Sequence, residues 1–81
     1  GGGSVSLPAL ATSLVGLTLG RTPDQLTKIL GLRTDVKKSG FTIPEVRDAI
    51  LTMGDIVLSP AGTYQVKDQV KNQVKNQAQG Q

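Results

Sequence analysis

Residues 41–67 read FTIPEVRDAILTMGDIVLSPAGTYQVK, and this stretch decides the fold of the chain. Its first part carries a helix start, because Thr42 and Glu45 have the spacing of a capping box, in which each side chain accepts a hydrogen bond from the other residue's backbone N–H. Gly54 occupies a position typical of a helix end. The pattern therefore predicts one helix over residues 42–53, with a clear start and a clear stop. Its apolar residues recur at helical spacing and are expected to face the core, Met53 among them.

The second part of the same stretch predicts a β-hairpin. Residues 56–58 and 63–66 are short, apolar-rich runs on either side of residues 59–62, whose sequence SPAG is typical of a turn. A two-stranded hairpin is only marginally stable alone. We therefore expect its apolar face, including Leu58 and Tyr64, to pack against the helices.

Apolar residues at helical spacing predict a first helix within residues 5–19, with Ser6 as its cap. One face of this helix is small, weakly polar and without charge, and consists of Ala9, Thr12, Ser13 and Gly16. A surface helix without any charge is unusual. This face predicts either burial within the domain or contact with a second subunit, and both interpretations stay open.

A second helix is predicted to begin at Thr22, where the sequence TPDQ combines a cap, a proline in the first turn and another capping box. Gly31 is expected to end this helix in a left-handed conformation, and Leu32 is expected to return to the core. Residues 33–40 are polar and basic. We expect them to form a loop with at most one helical turn.

The composition excludes several classes of function. The chain has 81 residues, which suits one small domain, and it contains no Cys and no His. It therefore lacks disulfides, thiolate metal sites and the residue that most often acts as a general base or metal ligand. The sequence also contains no pairing of a nucleophile with a base and no phosphate-binding glycine loop. We expect a non-catalytic protein without a cofactor or metal ion.

The formal net charge of +3 favours an anionic partner. The longest apolar stretch, residues 7–19, is interrupted by polar residues and glycine, and it is shorter than the roughly 20 residues that a membrane-spanning helix needs. We therefore expect no membrane partner. The expected location is the cytoplasm, or the nucleoid within it.

We expect three parts in the chain: a linker or cleavage scar at residues 1–5, a folded domain at residues 6–67, and a polar tail at residues 68–81. Around the tail, apolar residues recur every four positions at Val66, Val70, Val74 and Ala78. Because this period drifts by roughly 40° per repeat around a helix, the apolar stripe would spiral. The tail is interpreted either as a disordered segment or as a terminal helix that packs or self-associates through its valines.

The order of three helices followed directly by a hairpin resembles the winged helix-turn-helix family of DNA-binding domains. The resemblance covers residues 7–67. Residues 22–32 are similar to the supporting helix and its turn, residues 45–58 to a recognition helix that runs into the wing, and residues 59–64 to a short wing. The resemblance implies a mainly α fold with a small β-hairpin and a role in binding double-stranded DNA, as in the regulation of transcription.

The resemblance also implies a set of DNA contacts. In the family's docking mode the helix at residues 42–53 enters the major groove, with Arg47 as the best candidate for a base or phosphate contact and Thr42 beside it. Basic residues around this helix would hold the phosphate backbone: Arg33, Lys37, Lys38 and Lys67. The same helix carries Glu45 and Asp48, whose carboxylates repel phosphates, so Arg47 also fits an ordinary solvated helix face.

A second hypothesis is a protein-interaction or self-assembly module with the same architecture. Its working surfaces would be the uncharged first helix and the valine repeat of the tail, and its partner would be a second copy of the chain or a larger parent protein. The two hypotheses differ in the salt dependence of binding and in the mass of the protein in solution.

Overall fold

The computed structural model of the protein describes residues 5–67. It is mainly helical with one small antiparallel sheet, which confirms the predicted fold class and is consistent with a helix-turn-helix followed by a wing. The elements are, in chain order, α1 (Leu7–Thr18), α2 (Pro23–Leu32), α3 (Thr34–Ser39), α4 (Ile43–Met53), β1 (Ile56–Leu58) and β2 (Tyr64–Val66). The predictions for residues 1–4 and for the tail at residues 68–81 lie outside the described residues.

The three longer helices begin at the caps that the sequence predicts. At the start of α1, the hydroxyl of Ser6 accepts a backbone N–H of the first turn at 3.3 Å. In α2 the two hydrogen bonds between Thr22 and Gln25 measure 3.1 and 3.0 Å. In α4 those between Thr42 and Glu45 measure 3.2 and 2.9 Å. Loss of one such cap typically costs about 1 kcal/mol, so the starts of these helices are firmly fixed.

The segment at residues 33–40 is more helical than predicted, because the single helical turn expected at residues 35–38 is extended to the short helix α3. Val36 and Ser39 are buried. The hydroxyl of Ser39 donates to the carbonyl of Val36 and accepts the N–H of Phe41, and Gly40 ends the helix with a φ of 80°. One apolar side chain in six residues is too weak a periodic signal to predict a helix, and so short a helix depends on tertiary packing.

The core lies where α1 packs across α4, and α2 and the hairpin close its sides. Every element contributes at least one buried side chain, and the set is Leu10, Ala11, Leu14, Leu26, Leu30, Val36, Val46, Ile50, Ile56 and Tyr64. Tyr64 is thus a core residue, as predicted. Within residues 5–67, no helix combines the length and apolar character that crossing a membrane requires.

Three apolar residues predicted for the core lie at the surface instead. Leu32 is 78% exposed, because α2 continues through Gly31 without a left-handed end, and two residues of helix turn Leu32 about 200° away from the buried Leu30. Met53 is 51% exposed at the last residue of α4. Leu58 is 52% exposed, because exposure rises along β1 as the strand leaves the core.

The hairpin is anchored on both edges of β2. On one edge β2 pairs with β1, with Tyr64 opposite Leu58. On the other edge the N–H of Gly20 donates to the carbonyl of Tyr64 at 2.9 Å, and the N–H of Tyr64 donates to the carbonyl of Arg21 at 2.8 Å. The connection between α1 and α2 therefore takes the place of a third strand, which provides the support that an isolated hairpin lacks.

Candidate nucleic-acid interface

Helices α3 and α4 are joined by only three residues, at positions 40–42. The first of them, Gly40, has the positive φ that glycine adopts without strain. A connection of three or four residues that contains glycine is typical of a helix-turn-helix. Because α3 (Thr34–Ser39) is helical, the short connection to α4 starts from α3 and not from α2.

The outward face of α4 is centred on Asp48. At 100° per residue, Asp48 points about 180° away from the direction midway between the buried Val46 and Ile50. Glu45 and Asp48 are exposed, while Arg47 is half-buried at the side of the helix. The centre of the candidate recognition surface is therefore a carboxylate rather than a cation.

Arg47 is engaged by that same carboxylate. Its Nε and Nη2 atoms both donate to Oδ1 of Asp48, at 3.2 and 3.1 Å. The guanidinium keeps other N–H groups, but its charge is shared with a neighbour in sequence. Glu45 is likewise engaged, since its Oε1 accepts the backbone N–H of Thr42 at 2.9 Å and lies 3.1 Å from the Thr42 hydroxyl.

Arg33 pairs with Asp35 at the start of α3. Its Nε and Nη2 atoms donate to the two carboxylate oxygens of Asp35 at 3.0 and 2.9 Å, and Oδ1 of Asp35 also accepts the N–H of Val36 at 2.8 Å. The hydrogen bonds from Arg33 hold the pKa of Asp35 below its ordinary value, and the same pairing raises the pKa of Arg33. Arg33 therefore binds Asp35 on one edge of its guanidinium and has its remaining N–H groups for another partner.

Lys37 and Lys38 form the clearest cationic feature beside the turn. Both are exposed in the last turn of α3, immediately before residues 39–42. Neither makes an ion pair within the described part of the chain, unlike Lys28, whose ammonium lies 3.3 Å from Asp24 on α2. Both lysines therefore precede the turn that leads to Thr42 at the start of α4.

Lys67 lies apart from the other predicted contacts. Its backbone N–H donates to the carbonyl of Asp55 at 2.8 Å, which places it just past the end of α4. Thr42 caps the opposite end, roughly 16 Å away along the helix axis. The predicted set of site residues therefore divides into a group at the start of α4 and a single lysine at the base of the wing.

Arg21 is an exposed cation that the sequence did not single out. It follows Gly20, which lies two residues beyond the end of α1. Its carbonyl accepts the N–H of Tyr64, and its Nε donates to the carbonyl of Leu17 at 3.3 Å. It makes no ion pair among residues 5–67. Nothing in the sequence indicated its place beside the hairpin, because that place depends on the pairing of residues 20–21 with β2.

A shallow groove of about 400 Å³ separates the start of α1 from α4. Its apolar lining comes from Leu7, Pro8, Ala49 and Met53, and Glu45 and Asp48 also line it. The exposure of Met53, which the periodic pattern placed in the core, is explained by its position in this open groove. The groove itself was not predicted.

Residues 5–67 contain no group of three or more side chains placed to hold a metal ion. In the same residues every buried side-chain nitrogen and oxygen has a hydrogen-bond partner. No protein-family model, curated protein or solved structure matches the chain significantly. The function is therefore argued from the geometry of the described residues.

Proposed function

We propose that this domain binds double-stranded DNA through the helix-turn-helix formed by α3 and α4. The observation that carries the proposal is the three-residue turn at positions 40–42, preceded by the exposed Lys37 and Lys38. In the docking mode of this motif the second helix enters the major groove while the first crosses the phosphate backbone. The two lysines of α3 then lie next to the phosphate backbone that α3 crosses.

The chemistry of α4 favours a particular kind of DNA binding. Asp48 at the centre of its outward face repels phosphates, and Arg47 must share its charge with Asp48 while it contacts a base or a phosphate. Thr42 is already used by its capping box. Binding energy therefore comes mainly from contacts to phosphates, which fix orientation and carry little sequence information.

Two further cations complete this proposal. Arg33 offers the N–H groups that Asp35 leaves open, and Lys67 reaches a phosphate from the base of the wing. With Lys37 and Lys38 they make about four phosphate contacts. In this proposal the protein has no catalytic activity and no cofactor, and it acts on DNA in the cytoplasm or nucleoid.

The test is binding of the full chain to a random-sequence duplex, measured by fluorescence anisotropy between about 50 and 200 mM salt. Four phosphate contacts give a slope of about −3.6 in a plot of log binding constant against log salt concentration. A chain that is folded by circular dichroism and yet shows no binding at the low salt concentration would contradict the proposal.

The second candidate is self-assembly through the uncharged outer face of α1. It is favoured by the exposure of Ala9, Thr12, Ser13 and Gly16, none of which lies in the core. The test is the mass in solution by light scattering, for the wild type and for a variant with Thr12→Glu and Gly16→Glu. An oligomer that dissociates in this variant, but not in a Thr27→Glu control on α2, favours assembly, whereas a monomeric wild type contradicts it.

A further inference from the structure

The groove between α1 and α4 combines an apolar floor with an acidic edge. Leu7, Pro8, Ala49 and Met53 supply the apolar surface. The acidic edge follows the outward side of α4, where Glu45 and Asp48 are exposed. A groove of this kind suits a segment that carries aliphatic side chains on one face and positive charges beside them.

Each carboxylate on this edge keeps one oxygen available. The carboxylate of Glu45 accepts its hydrogen bonds from Thr42 at Oε1 alone, and the carboxylate of Asp48 accepts both of its hydrogen bonds from Arg47 at Oδ1. Within residues 5–67, Oε2 of Glu45 and Oδ2 of Asp48 make no hydrogen bond. An approaching ammonium can therefore pair with either carboxylate without breaking the helix cap.

The chain itself supplies a segment of matching chemistry. After Lys67 the sequence continues as DQVKNQVKNQAQGQ, in which Val70 and Val74 are each followed directly by a lysine, Lys71 and Lys75. On a helix, residues four apart share a face, so the two valines would form one short apolar row and the two lysines a parallel row about 100° away. This pattern complements an apolar floor beside an acidic edge.

The segment also starts in the right place. Lys67 is hydrogen-bonded to the carbonyl of Asp55, two residues beyond Met53 at the end of the groove. From there a helix running antiparallel to α4 places its lysines about 6 Å apart along its axis. Asp48 and Glu45 follow one another in the same direction with a spacing of about 4.5 Å along α4. The two rows of charge are thus closely matched.

We propose that residues 68–81 of the same chain dock in the groove between α1 and α4, with Val70 and Val74 on its apolar floor and Lys71 and Lys75 against Asp48 and Glu45. The segment then covers the exposed side chain of Met53. It also places two cations beside the acidic face of α4. This inference does not require that the domain binds DNA.

The test uses paramagnetic broadening in the full chain, which has no native cysteine to interfere with labelling. A nitroxide is attached at Thr12→Cys, one turn beyond Pro8 on the side of the groove. The control carries the label at Ser13→Cys, a neighbour that is also exposed and is turned about 100° to the other side of α1. The amide signals of residues 70–75 should lose most of their intensity with the first label and little with the control.

A charge reversal separates docking from chance proximity. Asp48→Lys should lower the ratio of docked to free segment about two- to fivefold, and adding Lys71→Glu should restore it, because exposed ion pairs have effects of this size. Equal broadening from both labels, no broadening, or a charge reversal without effect would overturn the proposal. Broadening that appears only between labelled and isotope-labelled molecules in a mixture would also overturn it, since the occupant would then be the segment of a second copy.

Discussion

The guanidinium of Arg47 donates twice to a single oxygen of Asp48, and Asp48 is the residue of α4 that points most directly away from the core. The pair is formed by neighbours in sequence on an exposed helix. Its contribution to stability is small, as for other exposed ion pairs. The pair has a larger effect on any anion that approaches α4. The anion first meets the carboxylate of Asp48, which also partly neutralises the guanidinium of Arg47.

Replacing Asp48 by Asn should therefore strengthen DNA binding. The change removes the outward carboxylate and leaves Arg47 its full charge, and we expect about two- to fivefold tighter binding at low salt. Asp24→Asn is the matched control, because it also removes a carboxylate that is paired with a cation, Lys28, but does so on α2 and not beside the turn. Anisotropy titrations on one duplex measure both. Weaker binding of the Asp48 variant would mean that this carboxylate contacts a base.

Replacing Lys37 and Lys38 together by Ala should flatten the salt dependence of DNA binding. Two phosphate contacts account for about 1.8 of the expected slope of −3.6, so the double variant should show a slope near −1.8. Lys28→Ala removes one positive charge from a lysine already paired with Asp24. We expect that control to keep the wild-type slope. A loss of about 0.9 in the control, half that of the double variant, would point to net charge rather than the turn.

Replacing Thr42 by Ala should lower the free energy of unfolding by about 1 kcal/mol. The variant loses the side-chain acceptor for the N–H of Glu45 and leaves that donor unsatisfied at the start of α4. Thr27→Ala changes an exposed threonine inside α2, whose hydroxyl only donates back to the carbonyl of Pro23. Urea unfolding followed by circular dichroism compares the two, and a control as destabilised as Thr42→Ala would argue against the cap.

Truncation of the two leucines at the end of α2 should have very different effects on stability. Leu30→Ala should cost about 2–5 kcal/mol, because Leu30 is fully buried. Leu32→Ala should change stability by no more than about 0.5 kcal/mol, because its side chain is 78% exposed. Thermal or urea unfolding of both variants tests this. A large effect at Leu32 would mean that α2 ends at Gly31 and that Leu32 packs inside.

Stability should fall in acid partly through Asp35. Its pKa in the folded state lies below the ordinary value of about 3.9, chiefly because of the hydrogen bonds from Arg33. A lowered pKa means that this contribution is present at neutral pH and is lost as the pH falls below about 4 through the folded-state pKa. Asp35→Asn should therefore show a weaker loss of stability between pH 7 and acid than the wild type in urea unfolding. Parallel pH profiles would contradict the pairing.

Much of the fold follows from local signals that need no tertiary contact. The capping boxes at Thr22 and Thr42 are sequence patterns with one structural meaning, and both form. The helix α3 could not be predicted in the same way, because it depends on the burial of Val36 and Ser39 in the folded domain. The position of Leu32 was missed for a related reason, since a glycine can end a helix or remain inside it.

The candidate site was predictable only in its parts. The basic residues were visible in the sequence, but their engagement with carboxylates was not, because the side chain of Arg47 can turn toward its neighbour Asp48 or out into solvent. The separation of Lys67 from Lys37 depends on the length of α4 and on the end of α4 at which the wing begins. The groove depends on the crossing of α1 over α4, which no local pattern specifies.

The pairing of Gly20 and Arg21 with Tyr64 ties the first third of the domain to its last strand. The hairpin completes its hydrogen bonds only after the junction of α1 and α2 is in place, and that junction is held in turn by the hairpin. Neither end is then an independent folding unit, so the domain should unfold in one cooperative transition. The amide of Tyr64 should accordingly exchange with solvent only through global opening, and removal of the hairpin should destabilise α1 as well.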